Sequence, residues 1–122
     1  MDKNSYVKFE TPESVEKKLL DLVENSFRSG KIKKGTNEVI KSIERGESKI
    51  VVIAEDVSPP EVVYYLPTLC DDRKVPYAYV KKKSDLGAKV GIGSAASISV
   101  VDYGKSEEIY KQIISELSEV KK

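Results

Sequence analysis

A chain of 122 residues is expected to form one domain spanning positions 1–122, long enough to bury a core without disulfide staples. Charged residues make up 34% of it, yet 21 basic residues against 20 acidic ones leave a net charge of +1, which excludes a bulk polycation and leaves only a localised basic patch open. Having no histidine and one cysteine, Cys70, the chain lacks the usual general base near neutral pH, the commonest metal ligand and any internal disulfide.

Met1 to Glu10 is polar and lacks the apolar centre of a signal peptide. Thr11-Pro12-Glu13 predicts a helix start, with a capping threonine, proline at the first position and an acid in the first turn. Val15, Leu19, Leu22, Val23 and Phe27 follow at helical spacing as its inward stripe, and Gly30 ends it. Lys31 to Lys34 is a short basic segment around Ile32, suited to a brief strand. Gly35-Thr36-Asn37-Glu38 opens a second helix, which stops at Gly46. Lys49 to Ala54 is continuous and β-branched, the pattern of a buried strand. Ser58-Pro59-Pro60-Glu61 predicts a third helix with Val62, Val63, Leu66, Leu69 and Cys70 facing inward. Val75 to Val80 is a further strand, and Ser84-Asp85-Leu86 starts a short helix that fades at Gly91. Ile98 to Val101 is another strand, and Lys105 to Val120 closes the chain as a helix striped by Ile109, Ile113, Ile114 and Leu117. The longest apolar run, Ile50 to Ala54, is far too short to span a bilayer, so a soluble, cytoplasmic protein is expected. Strands alternating with helices predict an α/β domain whose small sheet is covered on both faces.

The charge is unevenly spread. Seven basic residues face three acids between Arg28 and Lys49, and six face one between Arg73 and Lys89, leaving the remainder acidic. These two islands either meet as one positive face or lie as ordinary solvated surfaces on different sides. On a wheel of 100° per residue, Asn37, Glu38, Lys41 and Arg45 share one quadrant, while Val39, Ile40 and Ile43 lie opposite. The polar quartet starts at a helix N-terminus, where free N–H groups and the positive end of the dipole suit an anion such as phosphate. A plainer reading is also open: Thr36 or Asn37 caps the helix, Glu38 pairs with Lys41, and Arg45 is merely solvated. A carboxylate among basic groups is repelled by phosphate, so Glu38 is useful to an RNA binder only by accepting hydrogen bonds from base N–H groups. Together with Asn37 and Lys41 it would read unpaired or non-Watson–Crick base edges.

Lys33-Lys34-Gly35-Thr36-Asn37-Glu38, followed by Lys41 and Glu44-Arg45-Gly46, resembles the signature of the L7Ae family of archaeal large-subunit ribosomal proteins. Ile53-Ala54-Glu55-Asp56-Val57 with Pro59-Pro60-Glu61, then Leu66-Pro67, Leu69-Cys70-Asp71, Val75-Pro76-Tyr77 and Leu86-Gly87, continue the likeness in order over nearly the whole chain. The resemblance implies a three-layer α-β-α sandwich around a small mixed four-stranded sheet. It also implies recognition of kink-turns, sharply bent RNA elements with tandem sheared G·A pairs beside a three-nucleotide bulge. In the family, residues matching Asn37, Glu38 and Lys41 contact the G·A pairs, and those matching Lys33, Lys34, Gly35, Thr36 and Arg45 lie along the RNA backbone. The loop Ile92-Gly93-Ser94-Ala95-Ala96-Ser97 would add a second contact, with an apolar side chain on a flipped-out base and small residues permitting close approach. Here the chain departs from its relatives, which carry an apolar–acidic–valine step where this loop has glycine and serine after Ile92. Lys81, Lys82 and Lys83 would supply nearby phosphate contacts.

The implied partners are 23S-type ribosomal RNA, box C/D and box H/ACA guide RNAs and, in many relatives, ribonuclease P RNA, together with guide-particle scaffold proteins. A free monomer with no cofactor and no metal is expected, a scaffold and not an enzyme. Two rivals remain. Glu55 and Asp56 follow a buried strand and could hold magnesium for a small enzyme, but no nucleophile elbow or P-loop accompanies them. Alternatively the acidic stretch from Glu55 to Asp72, with Val62, Val63, Tyr64 and Tyr65, would dock a protein partner.

Overall fold

The computed structural model of the chain describes residues 6–120. Its elements run α1 (Glu13–Ser29), β1 (Lys31–Lys34), α2 (Thr36–Glu44), β2 (Ile50–Ala54), a 3-10 turn (Pro60–Val62), α3 (Leu66–Arg73), β3 (Tyr77–Val80), α4 (Lys83–Ala88), β4 (Ser97–Asp102) and α5 (Glu107–Val120). The strands form one mixed sheet in the order β1-β4-β2-β3, with β4 antiparallel to β1 and β2, and β2 parallel to β3. The parallel pair is joined by the crossover through α3, as such pairs require. α1 lies on the sheet beside α4 and α5, and α2 lies against β1 and β4 beside α3. Every residue of β2 is buried, which needs helices on both faces of the sheet and completes a three-layer α-β-α sandwich.

This topology decides where the loops gather. β1, β2 and β3 point the same way and β4 runs against them. The chain therefore leaves β1, β2 and β3, and enters β4, at one end of the sheet. The start of α2, the turn at Glu55-Asp56, the basic run after β3 and the loop before β4 all lie at that end.

Three local expectations are corrected. Thr11 does not cap α1, whose N-cap position is Pro12. Its hydroxyl instead accepts the Tyr79 N–H at 3.1 Å, so it covers the outer edge of β3 that no strand pairs. Phe27 is not in the core but 45% exposed, because Ser26 takes the inward place after Val23. The third helix does not start at Pro60: a 3-10 turn comes first, and α3 begins at Leu66. Pro67 explains this, since a proline is tolerated in the first turn but deeper in a helix would remove a hydrogen bond and clash. The break rotates Val62 outward while Val63, Leu66, Leu69 and Cys70 stay buried.

Candidate nucleic-acid interface

Gly35 sets the geometry at the start of α2. It is the N-cap residue with φ 84°, a left-handed conformation that glycine adopts without the Cβ penalty. Its carbonyl accepts the Val39 N–H at 2.9 Å. Neither Thr36 nor Asn37 caps the helix, and no other side chain does. The Thr36 hydroxyl is buried without a hydrogen-bond partner, so what Thr36 offers a ligand is its backbone. Val39 and Ile43 are fully buried and hold the helix to the sheet, and the Ser42 and Ser99 hydroxyls meet at 2.8 Å beneath it. The opposite face presents Asn37, Glu38, Lys41 and Arg45, all exposed. Lys41 Nζ lies 3.3 Å from Glu38 Oε2. An exposed pair at this spacing contributes only about 0.2–0.5 kcal/mol, so both groups remain free to exchange partners with a ligand.

Lys33 and Lys34 lead into this helix along β1, Lys33 half-buried and Lys34 exposed. Lys34 Nζ sits 5.8 Å from the centre of the exposed Phe27 ring, a cation–π contact that draws it toward α1. The β1–β4 pairing sets Lys34 opposite Ile98, one residue from the start of β4. The loop before β4 is thus a strand spacing away, roughly 5 Å.

That loop is firmly held. Gly87 of α4 accepts the Ile92 N–H at 3.0 Å, Lys83 accepts the Ala95 N–H at 3.0 Å, and Ala96 accepts the Ala54 N–H at 3.0 Å. Ile92, Gly93 and Ser94 are exposed, Ala95 is buried and Ala96 half-buried. Ile92 therefore projects as an apolar group, while the alanines fix the loop's base. Gly87 is a site-forming residue that sequence reasoning missed: a Cβ there would stand 2.5 Å from Ser94 Cα and 2.7 Å from Ser94 C and N. A glycine within a short helix and its place in the Leu86-Gly87 motif were the signals, and neither names a partner.

Past β2, the acids serve the loop geometry. Asp56 Oδ1 accepts the Lys83 N–H at 2.8 Å and thereby caps α4 from another segment, a role beyond shaping the turn before Ser58. Lys82 is exposed and Lys83 half-buried. Lys81 faces acids: its N–H donates to Glu16 Oε2 at 2.5 Å, and its charge acts on Glu55. Burial pushes the Glu55 carboxyl up from the usual range; Lys81 opposes this, while Glu16, Glu10 and Asp56 add to it. The folded chain therefore holds the Glu55 proton more tightly than the unfolded chain. Its contribution to stability is present at low pH and is lost as pH rises through the raised pKa. Glu55→Gln is expected to raise the melting temperature at pH 7 and leave it nearly unchanged near pH 4. A lower melting temperature at pH 7 in calorimetry would contradict this.

The second basic island divides. Lys82 and Lys83 share the sheet end with Lys33, Lys34 and the start of α2, across three strand spacings or roughly 14 Å. Arg73 and Lys74 precede β3 and lie at the opposite end, and Lys89 reaches Glu24 at 4.0 Å. Arg45, at the C-cap of α2, also stands toward that far end. Among the described residues no group of three or more His, Cys, Asp or Glu could hold a metal, and no helix is long and apolar enough to cross a membrane.

The sequence profile of the Ribosomal protein L7Ae/L30e/S12e/Gadd45 family matches residues 17–110. The chain belongs to this family. It is 77% identical over 118 residues to Large ribosomal subunit protein eL8 of Thermoplasma acidophilum, covering 97% of this chain and 98% of that protein. Large ribosomal subunit protein eL8 of Cenarchaeum symbiosum is 49% identical over 121 residues, covering 99% and 96%. Among solved structures, the Giardia lamblia 15.5kD RNA binding protein superposes with a TM-score of 0.80 at 30% identity, covering 95% of this chain and 97% of that one. The family's span includes α2, the basic run after β3 and the loop before β4, so all the candidate site residues fall within the shared region.

Proposed function

We propose that this member of the family is an RNA-binding component of the large ribosomal subunit that recognises kink-turns. The observation that carries the reading is the exposed Asn37–Glu38–Lys41 face, set at an uncapped helix N-terminus and flanked by Lys33, Lys34, Lys82 and Lys83. Cations along both sides meet phosphates and orient the RNA, while the amide, carboxylate and ammonium groups meet base edges. Sheared G·A pairs leave donors and acceptors unused by pairing, and Glu38 can accept only from donors. Ile92, at the tip of the held loop, packs on an extruded base, with Gly93 and Ser94 allowing close approach and the buried Ala95 and Ala96 at its foot. Membership of a family of ribosomal proteins supports a scaffold whose work is binding, not catalysis.

The same reading extends to box C/D and H/ACA guide RNAs and to ribonuclease P RNA, which present the same bent element, in the cytoplasm and with the protein monomeric when free. Exposed Val62, Tyr64 and Tyr65 beside the site favour a second contact, with a scaffold protein of the guide particles. An RNA reader and a protein-only interaction module are separated by salt. Binding to structured RNA should weaken steeply and linearly on a log–log salt plot. Lys33→Ala should lower the slope by about 0.7–0.9 and weaken kinked and unkinked RNA alike. Binding that ignores both salt and Lys33 would sink the RNA reading.

A further inference from the structure

The reading face of α2 does not end at Lys41. It runs on to Arg45, eight residues and roughly 12 Å from Asn37, where the helix meets the end of α3. There Arg45, Arg73 and Lys74 line a cleft of about 430 Å³, with Glu44, Gly46 and Ser48 also in its walls. Among the described residues none of these three cations forms an ion pair, whereas Lys17, Lys18, Arg28, Lys41, Lys89 and Lys111 all do. Glu44, though it shares the cleft, pairs with none of them.

Two features place Arg73 and Lys74 at the cleft. Arg73 Nη1 donates to the Glu44 carbonyl at 3.3 Å, which satisfies one of α2's last carbonyls and tethers the guanidinium over the helix end. A guanidinium carries five N–H groups, so most of its donors stay open. Lys74 is the one non-glycine residue with positive φ among the described residues, at 59°, ending α3 in a left-handed turn that sets its side chain beside the same cleft. The Ser42 carbonyl near the end of α2 is already bonded by the Glu47 N–H and that of Ile43 by Gly46, which blunts the negative end of the helix dipole there.

We infer that Arg45, Arg73 and Lys74 form a second phosphate-binding cleft, which takes the backbone of the RNA stem continuing beyond the bases read by Asn37 and Glu38. The inference rests on the α2 face meeting RNA. It makes the footprint two-part, with base reading at one end of the sheet and a phosphate anchor at the other.

The test uses the full chain and the double variant Arg73→Gln/Lys74→Asn, asparagine being at ease in the left-handed conformation. Each is titrated over a salt series into a minimal kinked RNA and into one whose stem extends by a helical turn. The cleft predicts that on the extended RNA the variant loses about two in log–log salt slope and binds at least tenfold more weakly at low salt. On the minimal RNA the variant should match the parent. Arg73→Lys/Lys74→Arg, which keeps both charges, should restore the slope, and equal melting temperatures would exclude a folding effect. Parent and variant equal on both RNAs would overturn the cleft. If the parent prefers neither kinked nor paired RNA, the base-reading assignment fails on its own. A slope loss on plain duplex would still support the phosphate cleft in that case.

Discussion

Glu38→Ala is expected to cost about 1–3 kcal/mol of binding to a kinked RNA, and Asn37→Ala a similar amount. The direction of the Glu38 effect is the informative part. A carboxylate amid Lys33, Lys34 and Lys41 lowers the attraction for phosphate, so if the site bound RNA by charge alone its removal would tighten binding. Loss of affinity instead requires Glu38 to accept hydrogen bonds from bases. Folding should be little affected, because the residue is exposed and its pairing with Lys41 at 3.3 Å is a surface contact. Isothermal titration against kinked and fully paired RNA checks this. Tighter binding to both by the alanine variant would refute the role given to Glu38.

Gly87→Val is expected to damage both folding and RNA binding, although Gly87 lies outside the residues proposed to face RNA. Even a Cβ would stand 2.5 Å from Ser94 Cα, and the obstacle is backbone, which cannot rotate away. The loop and α4 must separate, and the bonds from Ile92 to Gly87 and from Ala95 to Lys83 stretch with them. Overpacking of this kind costs about 1–3 kcal/mol of stability, read from urea denaturation. RNA affinity should fall as well, since Ile92 is carried by the displaced loop. Gly93→Ala is the matched control: nothing lies within 4 Å of its added Cβ, so stability should change by no more than about 0.5 kcal/mol. Any RNA effect of Gly93→Ala then reports contact and not folding. Equal stabilities for Gly87→Val and the parent would refute the packing argument.

Much of this architecture was legible in residue pattern alone. β2 and α2 were plain because a β-branched run and a 100° wheel each admit one arrangement. The α2 face was legible for the same reason, since apolar Val39 and Ile43 must point inward and so turn Asn37, Lys41 and Arg45 outward. What sequence could not supply was long-range geometry. Local capping rules assigned Thr11 to its own helix, but its hydroxyl serves Tyr79, 68 positions away, because β3 has an open edge. A basic run after Val80 and one before Thr36 come to the same end of the sheet only through the reversed direction of β4. Arg73 and Lys74 belong to the same charge island in sequence as Lys82 and Lys83, yet one strand's length parts them. Proline was the exception that sequence could have resolved, since Pro67 already forbids a helix running unbroken from Pro60.

A chain that reads kinked RNA through its G·A pairs must distinguish those pairs from Watson–Crick pairs. The most direct measurement is titration of the purified protein into a kink-turn RNA and into the same RNA with its G·A pairs replaced by Watson–Crick pairs, at one fixed salt concentration. Base reading by Asn37, Glu38 and Lys41 predicts tight binding to the first and loss of about two orders of magnitude or more on the second, the sum of two or more base-edge contacts. Equal, weak and salt-sensitive binding to both would contradict it.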